Sequence, residues 1–139
     1  MSKTTPLVDF FDQIFHIPHY QRGYRWEEQE VNELLDDLWS FCKDRESGNF
    51  YCLQPIVLKK NDKTGYDVLD GQQRLTTLYL ILVYLEDKLK EDNYNQLLFT
   101  LNYETRDKCE QFLVNNKFAN TVDASNIDFY QLCTDYRAI

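Results

Sequence analysis

The chain has 139 residues, of which 43% are hydrophobic and 15% aromatic, with 4 Gly, 3 Pro and a formal net charge of −8. A chain of this length buries about 68% of its unfolded surface, so the fold requires no disulfide or metal. The composition excludes intrinsic disorder and collagen-like structure. The negative charge argues against a protein that binds nucleic acid mainly through phosphate contacts.

The sequence carries no pattern typical of a secreted or membrane-spanning protein. Its N-terminus lacks the basic start and apolar run of a signal peptide. The longest apolar run, Leu78 to Leu85, is far shorter than the roughly 20 residues that span a bilayer. We therefore expect a cytoplasmic protein with no membrane partner. Its reduced cysteines are expected to be buried as small hydrophobic residues; they are Cys42, Cys52, Cys109 and Cys133.

The first part of the chain predicts a short element, an ordered loop and an amphipathic helix. Residues 6–17 are apolar enough for a short helix or a strand, and the aromatic, basic stretch 17–26 (IPHYQRGYRW) indicates an ordered loop. Apolar residues then recur at helical spacing from Val31 to Cys42, which predicts a helix over about 27–45. Its acidic face is either a solvated surface or a partner-docking surface.

The next part predicts a hairpin and a central helix. Residues 50–59 indicate a buried strand, in which Pro55 favours an edge or irregular position. A turn and a short strand over 66–69 complete the hairpin. The segment 72–90 is apolar on nearly every side, which is typical of a central buried helix. Residues 97–103 could form a further strand, and the remainder is predicted to be one or two helices.

The turn before the central helix, in YDVLDGQQRLTTL, is the most informative segment. Asp70 is predicted to cap the helix, because Gln73 stands at the position that completes a capping box. Gly71 removes a side chain where the backbone could approach a ligand, and the free N–H groups of a helix start suit phosphate. Arg74 opposes the helix dipole unless an anion is bound there. Further hydrogen-bond donors are Gln72, Thr76 and Thr77. The alternative is structural: Arg74 pairs with Asp70 or with an acid such as Glu27.

The loop 17–26 holds a second set of candidate ligand-binding groups. Its side-chain donors are Gln21, Arg22 and Arg25, and its aromatic faces are Tyr20, Tyr24 and Trp26. Arginine binds phosphate through paired hydrogen bonds, and an aromatic face can hold a base. The alternative is a loop pinned by buried aromatic rings. Because neither segment forms a complete pocket alone, we expect the loop to fold against the turn.

A metal centre and several enzyme classes find no support in the sequence. His16 and His19 lie on an extended or irregular stretch without a partner at diagnostic spacing. The chain contains no Walker loop, GxSxG or HExxH motif.

Four separated motifs, IPHYQRGYRW, LLDDLW, QPIVL and DGQQRLTTL, together resemble the N-terminal domain of GmrSD-type modification-dependent restriction systems over about residues 17–85. Their order is also similar to that in ParB-type partition proteins and sulfiredoxins, which share a small α+β nucleotide-binding fold. The resemblance implies a ParB/sulfiredoxin-like α+β domain over residues 1–103, with short strands packed on the central helix. Residues 104–139 are expected to begin a helical extension that is truncated here.

The resemblance further implies that the domain binds a nucleoside triphosphate and hydrolyses it with Mg²⁺. In that family the activity is coupled to an HNH-type nuclease, in the same or a partner chain, which attacks foreign, modified DNA. A strand-to-helix turn cradles the phosphates in this fold group. The matching positions here are Asp70, Gly71, Gln72, Gln73 and Arg74, with the upstream motif on Gln21 and Arg22.

The resemblance assigns catalytic roles to two of these residues. Asp70 would position water or help to hold the metal, unless it is only a cap, and Arg74 would stabilise charge on the transferred phosphoryl group. The chain departs from the family where Cys52-Leu53-Gln54-Pro55 replaces Phe-Leu-Gly, so the local turn is expected to differ. It shows no HNH pattern, so we expect no nuclease activity from it.

Two alternatives stay open on the sequence. The first is a non-catalytic switch, in which nucleotide binding only alters the docking of a nuclease region. The second is a module that reads modified DNA through a local patch of Arg22, Arg25 and Arg74.

Overall fold

The computed structural model describes residues 4–44, 46, 48–62, 64–89, 98–104 and 127–139. Its elements in chain order are a 3₁₀ turn (Leu7–Phe10), β1 (Ile14–Ile17), α1 (Glu28–Lys43), β2 (Val57–Lys60), β3 (Tyr66–Asp70), α2 (Gln72–Leu89), β4 (Thr100–Tyr103) and α3 (Ile127–Ala138). The described part is therefore an α+β structure with one small mixed sheet and three α-helices, which confirms the α+β part of the prediction.

The sheet has the strand order β2-β3-β1-β4. β1 runs parallel to both of its neighbours, β3 and β4, whereas β2 and β3 form the predicted antiparallel hairpin. The carboxyl ends of β1, β3 and β4 therefore lie at one edge of the sheet. The segments that follow β1 and β3 leave from this edge side by side.

The hydrophobic core lies between one face of the sheet and α2, as the apolar sequence of this helix predicts. Alternate residues of the strands point into it, including Phe15 and Ile17 of β1 and Leu101 of β4. On α2 nearly every side chain of the first three turns is buried, and Leu75 and Leu80 are completely enclosed. The ring of Phe15 meets other aromatic rings edge-on or tilted at centroid distances of 5.3 Å, which adds packing specificity.

Two predictions about burial are wrong. The strand predicted over 50–59 is only four residues long and mostly exposed, because β2 is an edge strand that pairs with β3 alone. Cys42 and Cys52 are exposed and only Cys133 is buried among the cysteines described; Cys109 lies outside the described residues. Cys42 is exposed because α1 buries its early residues Val31 and Leu34, whereas Cys42 stands in its last turn.

The C-terminal helix α3 packs against α1 and α2. Its Leu132 and Cys133 are fully buried in the same core as β1 and α2. Residues 105–126, which include the predicted break between helices, lie outside the described part of the chain. Of the helices that are described, none combines the length and the apolar character needed to cross a bilayer.

The packing of α2 predicts that truncating a buried leucine lowers the free energy of unfolding more than truncating an exposed one. Leu82 is 7% exposed and Leu85, one turn further along, is 40% exposed. Leu82→Ala should lower the free energy of unfolding by about 2–5 kcal/mol, because it leaves a cavity in the core. The control, Leu85→Ala, should cost at most about 1 kcal/mol. Urea unfolding followed by circular dichroism measures both, and equal losses would contradict this packing.

The hairpin turn predicts that two glycine-to-alanine substitutions differ in their cost to stability. Gly65 has a φ of +79° and accepts a hydrogen bond from the Asn61 N–H at 3.0 Å. A Cβ here would lie 2.0 Å from the carbonyl oxygen of Ile14, whereas at Gly48 (φ +95°) it would meet nothing within 4 Å. Gly48→Ala should therefore cost only backbone strain, about 1–2 kcal/mol. Gly65→Ala should cost about 1–3 kcal/mol more. Similar unfolding midpoints for the two variants would rule out this close approach.

Candidate functional site

The candidate site lies at the carboxyl edge of the sheet, between the β1–α1 loop (residues 18–27) and the turn that joins β3 to α2. The loop has no helix or strand of its own. Its backbone polar groups therefore need partners from elsewhere in the molecule. Glutamine side chains supply several of these partners.

Gln73 in the first turn of α2 makes two hydrogen bonds to the loop. Its Nε2 donates to the carbonyl oxygen of Gly23 at 2.8 Å, and its Oε1 accepts from the backbone N–H of Arg25 at 2.7 Å. A primary amide suits this role, because it offers a donor and an acceptor side by side. Gln73 thus fixes the loop backbone on both sides of Tyr24.

Two further glutamines extend this contact. Gln72 Nε2 donates to the carbonyl oxygen of Arg22 at 3.0 Å, and Gln21 Nε2 donates to the carbonyl oxygen of Leu69 at 2.8 Å. The helix α2 thus donates to the loop, and the loop donates to strand β3. The predicted contact between the loop and the turn is therefore confirmed. In this structure the amide nitrogens of all three glutamines are engaged within the protein.

The start of α2 differs from the prediction. Asp70 is the last residue of β3 and is exposed, and the first helical hydrogen bond runs from the Leu75 N–H to the carbonyl oxygen of Gly71 at 3.0 Å. Asp70 therefore does not cap the helix, and the proposed capping box is wrong. The reason is that the Gln73 side chain bonds to the loop instead of reaching back along its own helix.

Gly71 occupies a tight position between β3 and α2. Its φ is +87°, and a Cβ there would lie 3.1 Å from Cγ1 of Ile56. The local reason for a glycine is thus the left-handed turn and the nearby Ile56 side chain. A role for its backbone in holding a ligand stays a prediction.

Arg74 lies in a cleft of about 150 Å³ between α1, α2 and the segment before β2. Its Nη2 donates to Oε1 of Gln54, and its guanidinium lies over the ring of Trp26 at 5.8 Å from the centroid. The remaining lining residues are Glu30, Glu33, Leu34, Asp37, Tyr51 and Leu53. Within the described residues Arg74 forms no ion pair, so neither partner of the structural alternative, Asp70 or Glu27, is realised.

The acidic wall of this cleft also affects a tyrosine. The Tyr51 hydroxyl donates to Oδ2 of Asp37 at 3.1 Å. Burial, together with the hydrogen bond and charge of Asp37, raises the pKa of Tyr51. Arg74 acts in the opposite direction on this pKa. The cleft thus has a net negative lining in which Arg74 is the cation.

Thr76 and Thr77 are completely buried. The Thr76 hydroxyl donates to the carbonyl oxygen of Gln72 at 2.8 Å and lies 2.7 Å from the Tyr103 hydroxyl. The Thr77 hydroxyl lies 3.0 Å from the carbonyl oxygen of Gln73 and 2.8 Å from the Tyr24 hydroxyl. The structure gives both threonines internal partners.

The aromatic residues of the loop divide into buried and exposed rings. Tyr24 is 1% exposed and belongs to the core, whereas Tyr20 is 63% exposed. Trp26 is half-buried beneath Arg74. Arg25 is exposed, and its Nη1 donates to the carbonyl oxygen of Tyr24 at 2.8 Å. Tyr20 is therefore the most exposed aromatic ring of the loop, and its role in stacking on a base stays a prediction.

Arg22 is an exposed cation of the loop, as is Arg25. Its backbone carbonyl is held by Gln72, while its guanidinium makes no hydrogen bond or ion pair with any residue that the structure describes. The fixed backbone and uncommitted charge make it the side chain best suited to bind an anion. Asp70 is the acid of the DGQQR turn and is also exposed.

The two histidines have protein partners. His16 Nε2 lies 2.8 Å from the carbonyl oxygen of Thr64. The His19 backbone N–H donates to Oε2 of Glu104 at 3.0 Å, and this bond with that of the ring lowers the pKa of Glu104. No group of three or more His, Cys, Asp or Glu side chains that could hold a metal occurs among the described residues.

Sequence comparison agrees with the motifs. The profile of the family described as "GmrSD restriction endonuclease, N-terminal domain" matches residues 6–137, which is nearly the whole chain. No curated protein and no solved structure shows a significant match. The likeness to ParB and sulfiredoxin folds therefore stays a prediction. Gln54, Tyr103 and Asp135 were not singled out by the sequence, and of these only Gln54 lies in a recognisable motif, QPIVL.

The two bonds of Gln73 predict a proteolysis phenotype. Gln73→Ala should loosen the loop and raise trypsin cleavage after Arg22 and Arg25 by roughly tenfold, because two backbone groups of the loop lose their partners. The matched control is Gln29→Ala on α1, where the exposed amide bonds only to Glu33 at 2.9 Å. Limited proteolysis with mass spectrometry locates the cuts. Unchanged cleavage in Gln73→Ala would show that this side chain does not order the loop.

Proposed function

The chain belongs to the family of GmrSD restriction endonuclease N-terminal domains, and from that premise we propose that it is a nucleotide-binding regulatory domain that hydrolyses nucleoside triphosphates. Membership makes the chain part of a restriction endonuclease, which acts on DNA. The proposal concerns the step that this domain contributes. The observation that carries it is the fixed position of the Arg22 loop against the start of α2.

We place the phosphates between the loop and the first turn of α2. The N–H groups of Gln72, Gln73 and Arg74 precede the first intrahelical bond, so the helix itself gives them no acceptor. Their partial positive charge and the helix dipole favour an anion. Arg22 adds a full charge and a planar donor group that matches phosphate. Tyr20, two residues before Arg22, supplies a face for the base.

The acidic cleft gives Arg74 a specific electrostatic role in this proposal. Glu30, Glu33 and Asp37 line the cleft with it and would repel a triphosphate bound nearby. The Arg74 charge offsets part of that repulsion and remains available to stabilise charge on the transferred phosphoryl group. Its hydrogen bond to Gln54 and contact with Trp26 hold the charge in place.

Hydrolysis requires a group that positions water and a cation that neutralises charge. Asp70 is exposed at the end of β3, where its carboxylate could orient water or bind Mg²⁺ carried by the nucleotide. We propose that turnover is coupled to an HNH-type nuclease region, in the same or a partner chain, and thereby to DNA cleavage. Multiple-turnover phosphate release with Mg²⁺–NTP tests hydrolysis, and binding without release would instead identify a nucleotide switch.

The proposal predicts the effect of removing the Arg22 charge. Arg22→Ala should weaken Mg²⁺–NTP binding roughly ten- to hundredfold, because a charge-assisted hydrogen bond contributes about 1.5–3 kcal/mol. Its thermal stability should change little, since the guanidinium is exposed. The matched control is Arg137→Ala, which removes an exposed arginine on α3. Titration calorimetry with each of the four ribonucleotides measures the affinities. Equal affinities for Arg22→Ala and the wild type would contradict the assigned site.

A further inference from the structure

A buried hydrogen-bonded chain connects α3 to the β1–α1 loop. Asp135 of α3 is completely buried, and Tyr24 of the loop is 1% exposed. The Tyr24 hydroxyl is hydrogen-bonded to the Asp135 carboxylate and lies 2.8 Å from the Thr77 hydroxyl of α2. Three elements that are distant in sequence therefore meet at one phenolic oxygen.

When Asp135 is ionised, the number of hydroxyl hydrogens determines which group donates in each hydrogen bond of this chain. A carboxylate only accepts hydrogen bonds, so the single hydroxyl hydrogen of Tyr24 is donated to Asp135. The Tyr24 oxygen then accepts from Thr77, whose single hydroxyl hydrogen is shared with the carbonyl oxygen of Gln73, its acceptor at 3.0 Å. Burial first, and then the Asp135 charge, raise the pKa of Tyr24 above its usual range. The tyrosine thus remains a neutral donor.

Tyr24 occupies a sensitive position in the loop. Its neighbours Gly23 and Arg25 are the two residues whose backbones bond to Gln73, and Arg22 lies just before them. Fixing the Tyr24 ring therefore fixes the segment that presents the Arg22 guanidinium. A loop that is already ordered in the free protein loses less conformational entropy when a ligand binds.

We propose that Asp135 is a positioning residue that holds the β1–α1 loop in its binding conformation through Tyr24, so that α3 completes the nucleotide site. The effect on nucleotide affinity rests on the proposed function, whereas the effect on loop order does not. Asp135 itself is completely buried, so we assign it no direct contact with the nucleotide. Its action passes through the Tyr24 hydroxyl.

The chain contains a matched control for the Tyr24–Thr77 pair. Tyr103 of β4 bonds in the same way to Thr76, at 2.7 Å and one residue earlier on α2. Both tyrosines are buried, but Tyr103 belongs to a strand and not to the loop. Tyr103→Phe therefore removes a buried hydroxyl that bonds to the neighbouring threonine of α2 from a strand and not from the loop.

The test combines amide hydrogen exchange of the free full chain with Mg²⁺–NTP titration. Tyr24→Phe and Asp135→Leu, which remove the donor and the acceptor of the Tyr24–Asp135 bond, should each raise exchange of the Arg25 N–H roughly tenfold and weaken nucleotide binding by a similar factor. Thr77→Val should act in the same direction, and Thr77→Ser, which keeps the hydroxyl, should restore exchange towards the wild-type rate. Tyr103→Phe should leave loop exchange within about twofold of the wild type.

The outcomes separate this inference from the proposed function. Raised loop exchange in a protein that binds no nucleotide supports the positioning role and rejects the nucleotide site. Unchanged loop exchange in Tyr24→Phe and Asp135→Leu overturns the positioning role, whatever the affinity. Equal increases across the whole chain in Tyr24→Phe and Tyr103→Phe also overturn it, because both hydroxyls would then serve only general stability.

Discussion

Parallel pairing between β1 and β3 is the constraint on which the candidate site depends. The register places Phe15 opposite Tyr66 and His16 opposite Asp67, so both strands end at the same edge of the sheet. The loop after β1 and the turn before α2 must then lie together, although they are about 50 residues apart in sequence. Parallel strands characteristically gather functional segments at their carboxyl ends. In this protein the arrangement brings an arginine-bearing loop to the start of the central helix.

A loop held in this position needs partners for its backbone, and this need explains the glutamines of the DGQQR motif. Gln72 and Gln73 satisfy the carbonyl groups of Arg22 and Gly23, and Gln73 also accepts from Arg25. The motif therefore contains two kinds of residue. Its glutamines build the site, and its charged residues remain as the groups suited to ligand chemistry.

Sequence patterns predicted the elements with local causes. The apolar character of α2 identified the core helix, and the turn residues identified the β2–β3 hairpin. Predictions from local sequence patterns were wrong where a residue distant in sequence supplies the hydrogen-bond partner. Gln73 was assigned to a capping box but bonds to the loop 48 residues away. The capping box instead occurs on α1, where the Glu27 N–H donates to Oε2 of Glu30 at 2.8 Å.

At the candidate site, the two threonines show the same limit of prediction from sequence patterns. At the start of a helix their hydroxyls resemble solvent-facing donors, but Tyr24 and Tyr103 cover them from the loop and from β4. Neither contact follows a local period, so spacing could not predict it. The importance of Asp135 likewise depends on the packing of α3 and not on any motif around it.

Backbone amide chemical shifts during titration of the full chain with Mg²⁺–NTP show directly where a nucleotide binds. A triphosphate site between the loop and the first turn of α2 predicts that the largest changes occur at Arg22–Arg25 and Gln72–Leu75, with smaller changes at the edge strand β2. It also predicts that the Tyr51–Gln54 side of the acidic cleft responds less than the loop. Saturable changes centred on that cleft, or none at any nucleotide concentration up to several millimolar, would contradict a triphosphate site between the loop and the first turn of α2.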